Sequence, residues 1–138
     1  MKQNIRIYSF HLLLVICAYS CTHGLANKYS EKKCINFNFI KKVISRDEKY
    51  MFSECNSGNS SLCYDYAIFL YNKNNSSFTI DSAVYFKKAC EDGLGQGCYA
   101  IGCMYLNGLG LAKSIDKGIK FLRAACQMNI EEACTVFK

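Results

Sequence analysis

Apolar positions recur with a helical period in four segments: YDYAIFLY (64–71), AVYFKKAC (83–90), YAIGCMYL (99–106) and IKFLRAAC (119–126). The second and fourth segments place aromatic or aliphatic residues five and four positions before a cysteine, with Lys or Arg alongside. This pattern predicts an apolar stripe on a helix whose opposite side faces water. In the other two segments a small residue, Ala67 or Gly102, lies four positions after a cysteine and lets a neighbouring helix approach closely. Each unit is therefore predicted to be a helix, a loop, a second helix and a tight turn.

The cysteines follow a fixed period. Six of the ten cysteines form three pairs, each with a spacing of eight residues: Cys55 and Cys63, Cys90 and Cys98, Cys126 and Cys134. The pairs recur after 35 and then 36 residues. A period of this size indicates a solenoid of small repeats. The predicted fold class is therefore all-α, an α/α repeat solenoid.

Each of these pairs is predicted to form a disulfide. The first cysteine lies at the end of one predicted helix and the second at the start of the next. A disulfide between them would therefore clasp, that is, link the two ends of, the turn between repeats. Closing a loop of about nine residues stabilises the fold by about 2.5 kcal/mol in the chain-entropy account, and small repeat arrays need such help. The alternative is that these cysteines are buried thiols acting as small hydrophobes. Cys34 and Cys103 are left over and form a candidate fourth pair.

Residues 1–26 are predicted to be a secretory signal peptide. Lys2 and Arg6 precede the apolar run FHLLLVICA (10–18), and small and polar residues follow it, which is the order of a signal sequence. The run is shorter than the roughly 20 apolar residues that cross a bilayer, so no transmembrane span is predicted. The protein is expected to be secreted or periplasmic, where cysteines can pair.

Two cleavage positions fit this segment. Cleavage after Ala26 follows Gly24-Leu25-Ala26, whereas cleavage after Ser20 would leave Cys21 as the first residue, available for a lipid anchor. Tyr19 fits poorly with the small-residue slot that lipid anchoring requires, which favours ordinary cleavage. An uncleaved segment is the third alternative.

Residues 27–54 are predicted to form an N-terminal helical cap, because the end of a repeat array must be covered. One helical face of this segment is apolar and carries Phe37, Ile40, Val43 and Ile44. The same amphipathic pattern would also suit a membrane surface. Residues 55–138 are the predicted cysteine-rich repeats.

The sequence from Ala89 to Gly110 resembles the Sel-one-like repeat, a relative of the tetratricopeptide repeat. The likeness is carried by Ala89-Cys90, Gly97-Cys98-Tyr99-Ala100-Ile101-Gly102, Met104-Tyr105 and Asn107-Gly108-Leu109-Gly110. The cysteine pairs are similar to those of the Hcp family (Helicobacter cysteine-rich proteins), which are secreted bacterial repeat proteins; the likeness covers roughly residues 49–138. It implies an α/α superhelix with one disulfide in each repeat, here Cys55–Cys63, Cys90–Cys98 and Cys126–Cys134.

Charge and composition exclude several kinds of chemistry. The 138 residues include 17 Lys or Arg and 11 Asp or Glu, and leaving out Lys2 and Arg6 lowers the formal charge from +6 to +4. A nucleic-acid-binding protein usually concentrates its charge more than this, so no nucleic-acid partner is predicted. The only histidines, His11 and His23, lie in the predicted signal peptide, which excludes most hydrolytic triads and zinc sites elsewhere. No metal or other cofactor is predicted.

The resemblance to Hcp proteins also implies penicillin binding and weak β-lactamase activity, which is the alternative function. A serine enzyme of that type carries S-x-x-K, S-x-N and K-T-G motifs. S-x-x-K occurs at 114–117 and 30–33 and S-x-N at 57–59, but no K-T-G or K-S-G occurs. Ser114 precedes a predicted helix and suits an N-cap better than a nucleophile. An enzymatic activity is therefore implied by the resemblance alone, the sequence holds no complete catalytic motif, and no catalytic residue is assigned.

The predicted function is a disulfide-stapled repeat scaffold that binds a protein or peptide partner. A peptidoglycan-like or β-lactam compound is a further candidate ligand. Superhelices of this kind commonly present one helix of each pair inward, so the tyrosines of those helices are candidate partner contacts: Tyr64, Tyr66, Tyr71, Tyr99 and Tyr105. The alternative for each tyrosine is packing in the core.

Overall fold

The computed structural model describes residues 47–73 and 75–137. These residues form α1 (Glu48–Asn56), α2 (Ser60–Asn72), α3 (Ser76–Glu91), α4 (Gly95–Asn107), α5 (Ile115–Gln127) and α6 (Glu131–Thr135). No β-strand occurs in these two ranges, and the predicted all-α class is confirmed. The predicted signal peptide, Cys34 and residues 27–46 of the predicted cap lie outside the described residues.

Most of the helices begin at a polar side chain that accepts a hydrogen bond from a backbone N–H of the first turn. The capping residues are Asp47 for α1, Asn59 for α2, Asn75 for α3 and Ser114 for α5. Such caps satisfy N–H groups that have no partner within the helix. The helices α4 and α6 follow Leu94 and Ile130 and have no side-chain cap. Both begin directly after a disulfide-closed turn.

The turns after α1, α3 and α5 have the same backbone hydrogen bonds. After α1, the Gly58 N–H donates to the Cys55 carbonyl, and the Asn59 N–H donates to the Glu54 carbonyl; the other two turns repeat both bonds. This is the Schellman ending, in which one left-handed residue lets the chain leave the helix. That residue is Gly58, Gly93 or Asn129, with φ of 98°, 88° and 63°.

A disulfide closes each of these turns. The bonds are Cys55–Cys63, Cys90–Cys98 and Cys126–Cys134, with Cα–Cα distances of 4.5, 4.5 and 4.7 Å. Each bond joins the last turn of one helix to the first turn of the next, so the structure contains all three predicted bonds. The candidate fourth pair is not tested, because only Cys103, which is buried in α4, lies in the described part of the chain.

Each helix packs chiefly against its neighbours along the chain, as in a solenoid. The position four residues before the first cysteine of each pair lies in the core, since Met51, Phe86 and Leu122 are each 0% exposed. Gly102 is also buried, and a Cβ atom there would lie 2.9 Å from the Leu122 Cγ. The predicted close approach of helices at Gly102 is therefore confirmed.

Candidate binding surface

One face of α1, α2 and α3 brings together five aromatic rings and three charged groups. The residues are spaced by four positions in α1, and by three and then four positions in both α2 and α3, so they lie on one side of each helix. We call this surface the aromatic–acidic face. It consists of Glu48 and Phe52 from α1, Tyr66, Phe69 and Lys73 from α2 and its C-cap, and Phe78, Asp81 and Tyr85 from α3.

Three rings at the centre of this face contact one another edge to face. The ring centroids of Phe52 and Tyr66 are 5.7 Å apart, those of Tyr66 and Tyr85 are 4.7 Å apart, and those of Phe52 and Tyr85 are 6.4 Å apart. Tyr66 is buried, Tyr85 is half-buried, and Phe52 is 43% exposed. The cluster therefore extends from the core to the surface, where aromatic side chains supply large contact areas to partners.

An ammonium group lies on the same face. The Lys73 Nζ is 4.6 Å from the ring centroid of Phe69, 4.7 Å from that of Phe78 and 3.2 Å from the Glu48 Oε2. The carboxylate holds this cation by an ion pair, and the two rings hold it by cation–π attraction. The Lys73 and Glu48 side chains are 31% and 46% exposed, so the group remains open to solvent.

Burial and the carboxylates of this face raise the pKa values of its two tyrosines. Burial raises the pKa of Tyr66, and Tyr85, Glu48 and Asp81 raise it further. Burial also raises the pKa of Tyr85, with a further contribution from Asp81. Both phenols are therefore neutral at physiological pH and keep their O–H donors. In contrast to Glu48, Asp81 has no ion pair with any described residue, and it is exposed.

The helix pair α4–α5, the second repeat unit after the first unit α2–α3, has a smaller surface of opposite charge. Counted from the cysteines, Phe121 is equivalent to Tyr85, and Lys117 is equivalent to Asp81. The Phe121 ring stacks on Tyr105 with centroids 5.7 Å apart, and the Lys117 Nζ lies 5.4 Å from the Tyr105 ring centroid. We call Tyr105, Lys117 and Phe121 the aromatic–basic face. The same repeat positions therefore carry a carboxylate in one unit and an ammonium in the next.

The five tyrosines predicted as partner contacts lie in different environments. Tyr66 belongs to the aromatic–acidic face and Tyr105 to the aromatic–basic face. Tyr71 and Tyr99 are half-buried, and burial raises the pKa of Tyr71. Their contact with a partner stays a prediction.

Tyr64 packs on the other side of α2 from Tyr66. Its ring meets Phe86 edge to face, with centroids 5.4 Å apart. Burial raises the pKa of Tyr64 to about 12, with a smaller contribution from Asp65. Tyr64 therefore stabilises the α2–α3 contact, and its neutral form is favoured in the folded protein.

Most of the aromatic–acidic face was not predicted from the sequence. Tyr85 was predicted only as part of an apolar stripe, and Phe52 lay in the predicted cap. One available signal was the spacing of Phe78, Asp81 and Tyr85, which places a carboxylate between two rings on one side of a helix. No comparable sequence signal places Lys73 on this face, because its contacts come from three different helices.

The serines of the hydrolase motifs have structural roles. The Ser114 Oγ accepts a hydrogen bond from the Lys117 N–H at 3.4 Å, which confirms the predicted N-cap. The Ser57 Oγ donates to the Glu54 carbonyl at 2.8 Å, at the end of α1. Ser30 lies outside the described residues. The geometry of Ser57 and Ser114 is therefore explained by the helix ends alone.

Within residues 47–73 and 75–137, no group of three or more His, Cys, Asp or Glu side chains is placed to hold a metal ion. No helix in this part of the chain combines the length and apolar character needed to cross a membrane. No protein-family model matches the chain, and no curated protein matches it. The fold and its surface define the protein as a helical repeat clasped by disulfides.

Proposed function

We propose that this protein is a secreted or periplasmic scaffold that binds a protein or peptide partner. The aromatic–acidic face carries the proposal, because Phe52 exposes 43% of its surface between a buried aromatic cluster and exposed charges. Partner-binding surfaces commonly combine aromatic anchors with a polar rim. The resemblance to the Sel-one-like repeat adds support, since repeats of that class serve as interaction scaffolds.

The disulfides support the export of the protein. Three disulfides within one chain fit an oxidising compartment outside the cytoplasm. A signal peptide over residues 1–26 would deliver the chain there, with ordinary cleavage or with a lipid anchor at Cys21. The repeats would then act in a compartment where their clasps persist.

Partner binding is tested by selecting ligands from a displayed random peptide library with the oxidised protein. The selected peptides are expected to bind about tenfold more weakly to a Phe52→Ala variant, since a central aromatic anchor contributes strongly to binding. Met128→Ala is the matched control, because Met128 is 40% exposed and lies outside the face. A selection without binders, or equal losses in the two variants, would contradict the proposal.

The scaffold proposal also predicts that purified oxidised protein leaves a chromogenic cephalosporin unhydrolysed. A Ser114→Asn variant sharpens this test, because asparagine keeps the N-cap of α5 and removes the hydroxyl group. Turnover that disappears in Ser114→Asn would show a serine hydrolase instead. Turnover that persists unchanged in the variant would locate the activity away from Ser114.

A further inference from the structure

We propose that the aromatic–acidic face binds a lysine or arginine side chain of the partner polypeptide. This inference rests on the proposed function and specifies the chemistry of the partner. The binding position lies beside Phe52, Tyr85 and Asp81, next to the position that Lys73 already occupies.

The first support is the ammonium group that the face holds in the structure. The Lys73 Nζ lies over two rings at 4.6 and 4.7 Å and 3.2 Å from the Glu48 carboxylate. Rings and a carboxylate arranged in this way favour a cation over a neutral group. The same two kinds of group, aromatic rings and a carboxylate, continue across the face at Phe52, Tyr85 and Asp81.

The second support is an uncompensated charge. Asp81 is exposed and forms no ion pair with any residue that the structure describes, although Tyr85 and Tyr66 lie in its electrostatic field. On the aromatic–acidic face itself, the two carboxylates of Glu48 and Asp81 outnumber the single ammonium of Lys73. A local excess of negative charge attracts a cation, and a partner cation would complete the pairing of Asp81.

The third support is the accessibility of the rings. Phe52 is 43% exposed, while its partners Tyr66 and Tyr85 fix its position through edge-to-face contacts. A ring held in place by its neighbours loses little freedom when a ligand covers it. Arginine and lysine side chains stack their charged ends on such rings.

The probe for this proposal is trilysine amide, with trilysine acetylated on all amines as the neutral control. Binding to the oxidised protein is followed by the NMR signals of the Phe52 and Tyr85 rings. Trilysine is expected to shift both rings in a saturable way, and the acetylated peptide is expected to shift neither. The affinity should fall as salt is added, because exposed charges are screened.

Matched variants locate the site. Asp81→Asn is expected to weaken trilysine binding about two- to fivefold, the range for one exposed ion pair. Asp116→Asn makes the same change at an exposed aspartate of the second unit, next to Lys117 and outside the aromatic–acidic face, and should leave the affinity unchanged. Lys73→Met removes the competing ammonium from Glu48 and should strengthen binding about twofold or more. Far-ultraviolet circular dichroism checks that each variant is folded.

Several outcomes would overturn the proposal. These are equal shifts with the acetylated peptide, equal losses in Asp81→Asn and Asp116→Asn, or unchanged or weaker binding in Lys73→Met. Ring shifts that depend on protein concentration without a peptide would assign the face to a second copy of the chain. Trilysine binding that appears only after the lysines of residues 28–42 are replaced by glutamine would assign it to the chain's own basic segment.

The proposed function fails separately from this inference. Library peptides that lose affinity in Phe52→Ala, but lack Lys and Arg and are unaffected by Asp81→Asn, would keep the scaffold and reject the cationic partner. A library without binders, together with saturable trilysine binding, would keep the cation site and reject the peptide scaffold.

Discussion

The units α2–α3 and α4–α5 share one repeat pattern but pack their helices differently. In α4–α5, Gly102 and Gly118 let the two helices approach closely, and Leu106 fills the space beside Gly118. At the equivalent positions α2–α3 has Ala67 and Ser82, which are both buried. In that unit aromatic rings form much of the helix contact. Side chains of this size extend to the surface, so the unit with the aromatic helix contact is also the one that carries the aromatic–acidic face.

The two units also differ in charge at equivalent positions. The aromatic–acidic face has Asp81 where the aromatic–basic face has Lys117. Both faces place an ammonium over a ring, but only Lys73 also has a carboxylate partner among the described residues. The small and apolar positions that pack the helices are therefore similar in the two units, whereas the charge at the surface positions 81 and 117 differs.

Reduction of all three disulfides is expected to cause the largest loss of stability, and to destabilise both units alike. The three clasps close loops of the same length, and each contributes about 2.5 kcal/mol in the chain-entropy account. Their sum is comparable with the whole stability of a small domain. Thermal unfolding followed by circular dichroism, with and without a phosphine reductant, measures the loss.

Paired Cys→Ser variants then compare the clasps one at a time. Replacing both cysteines of 55/63 or both of 126/134 should lower the unfolding free energy by similar amounts. A clear excess for one pair would mean that the clasps are not equivalent. An unchanged unfolding temperature after complete reduction would show that packing alone holds both units.

Gly118→Ala and Ser82→Ala are expected to lower the unfolding free energy by different amounts, because the helices of the two units pack differently. A Cβ atom on Gly118 would lie 2.5 Å from the Leu106 Cδ2 and 3.0 Å from the Gly102 carbonyl oxygen. We expect a loss of about 1–2 kcal/mol, after the higher helix propensity of alanine offsets part of the overpacking. Ser82→Ala removes a hydroxyl that donates to the Thr79 carbonyl at 2.7 Å and should cost less than about 1 kcal/mol.

Urea denaturation of both variants measures this difference. The wild type and a surface variant such as Lys120→Ala are the controls for the unfolding free energies. Equal losses would show that close helix approach is no more important in α4–α5 than in α2–α3. A stabilised Gly118→Ala variant would contradict the packing contrast outright.

The repeat was predictable from the sequence because its signals are local and recur. The eight-residue cysteine spacing, the apolar position four residues before Cys90 and Cys126, and the small residue at 102 each constrain the fold independently. The N-cap role of Ser114 was predictable for the same reason, since it depends on a residue and the helix that follows. These features need no knowledge of which helices meet.

The aromatic–acidic face was not predictable in this way, because it depends on contacts between three helices. Tyr85 and Phe86 are adjacent in an apolar stripe, but only the packing shows that Phe86 is fully buried and Tyr85 reaches the surface. Lys73 looks like an ordinary loop residue until Glu48, 25 positions earlier, is placed beside it. Helical period alone does not distinguish the inner edge of a stripe from its outer edge.

Alkaline pH is expected to destabilise the first unit through ionisation of Tyr64. Burial raises the pKa of Tyr64 from 10.0 to about 12 in the folded state. As pH rises through this window the unfolded chain loses the proton first, so the folded state binds more protons and its stability falls with pH. Tyr64→Phe removes this contribution and should move the midpoint of alkaline unfolding upward. Tyrosinate absorbance and circular dichroism measure the two transitions.

Tyr99→Phe is the repeat-equivalent comparison for this prediction, since Tyr64 and Tyr99 each follow the second cysteine of a pair. The shift in Tyr64→Phe minus the shift in Tyr99→Phe gives the part that belongs to the first unit. A midpoint that stays in place in Tyr64→Phe would show that ionisation of other groups controls alkaline unfolding.

The smallest expected difference in stability is the one between variants that remove the ammonium group of Lys73 or that of Lys117. Lys73→Met should lower the unfolding free energy by about 1 kcal/mol, because it removes a partly exposed ion pair and two cation–π contacts. Lys117→Met removes one contact at 5.4 Å and should cost about 0.5 kcal/mol or less. Urea denaturation at low and high salt distinguishes them, since screening weakens the ion pair of Lys73 with Glu48. A larger loss in Lys117→Met would mean that the aromatic–basic face holds its ammonium more strongly than the aromatic–acidic face does, which would contradict the expected order.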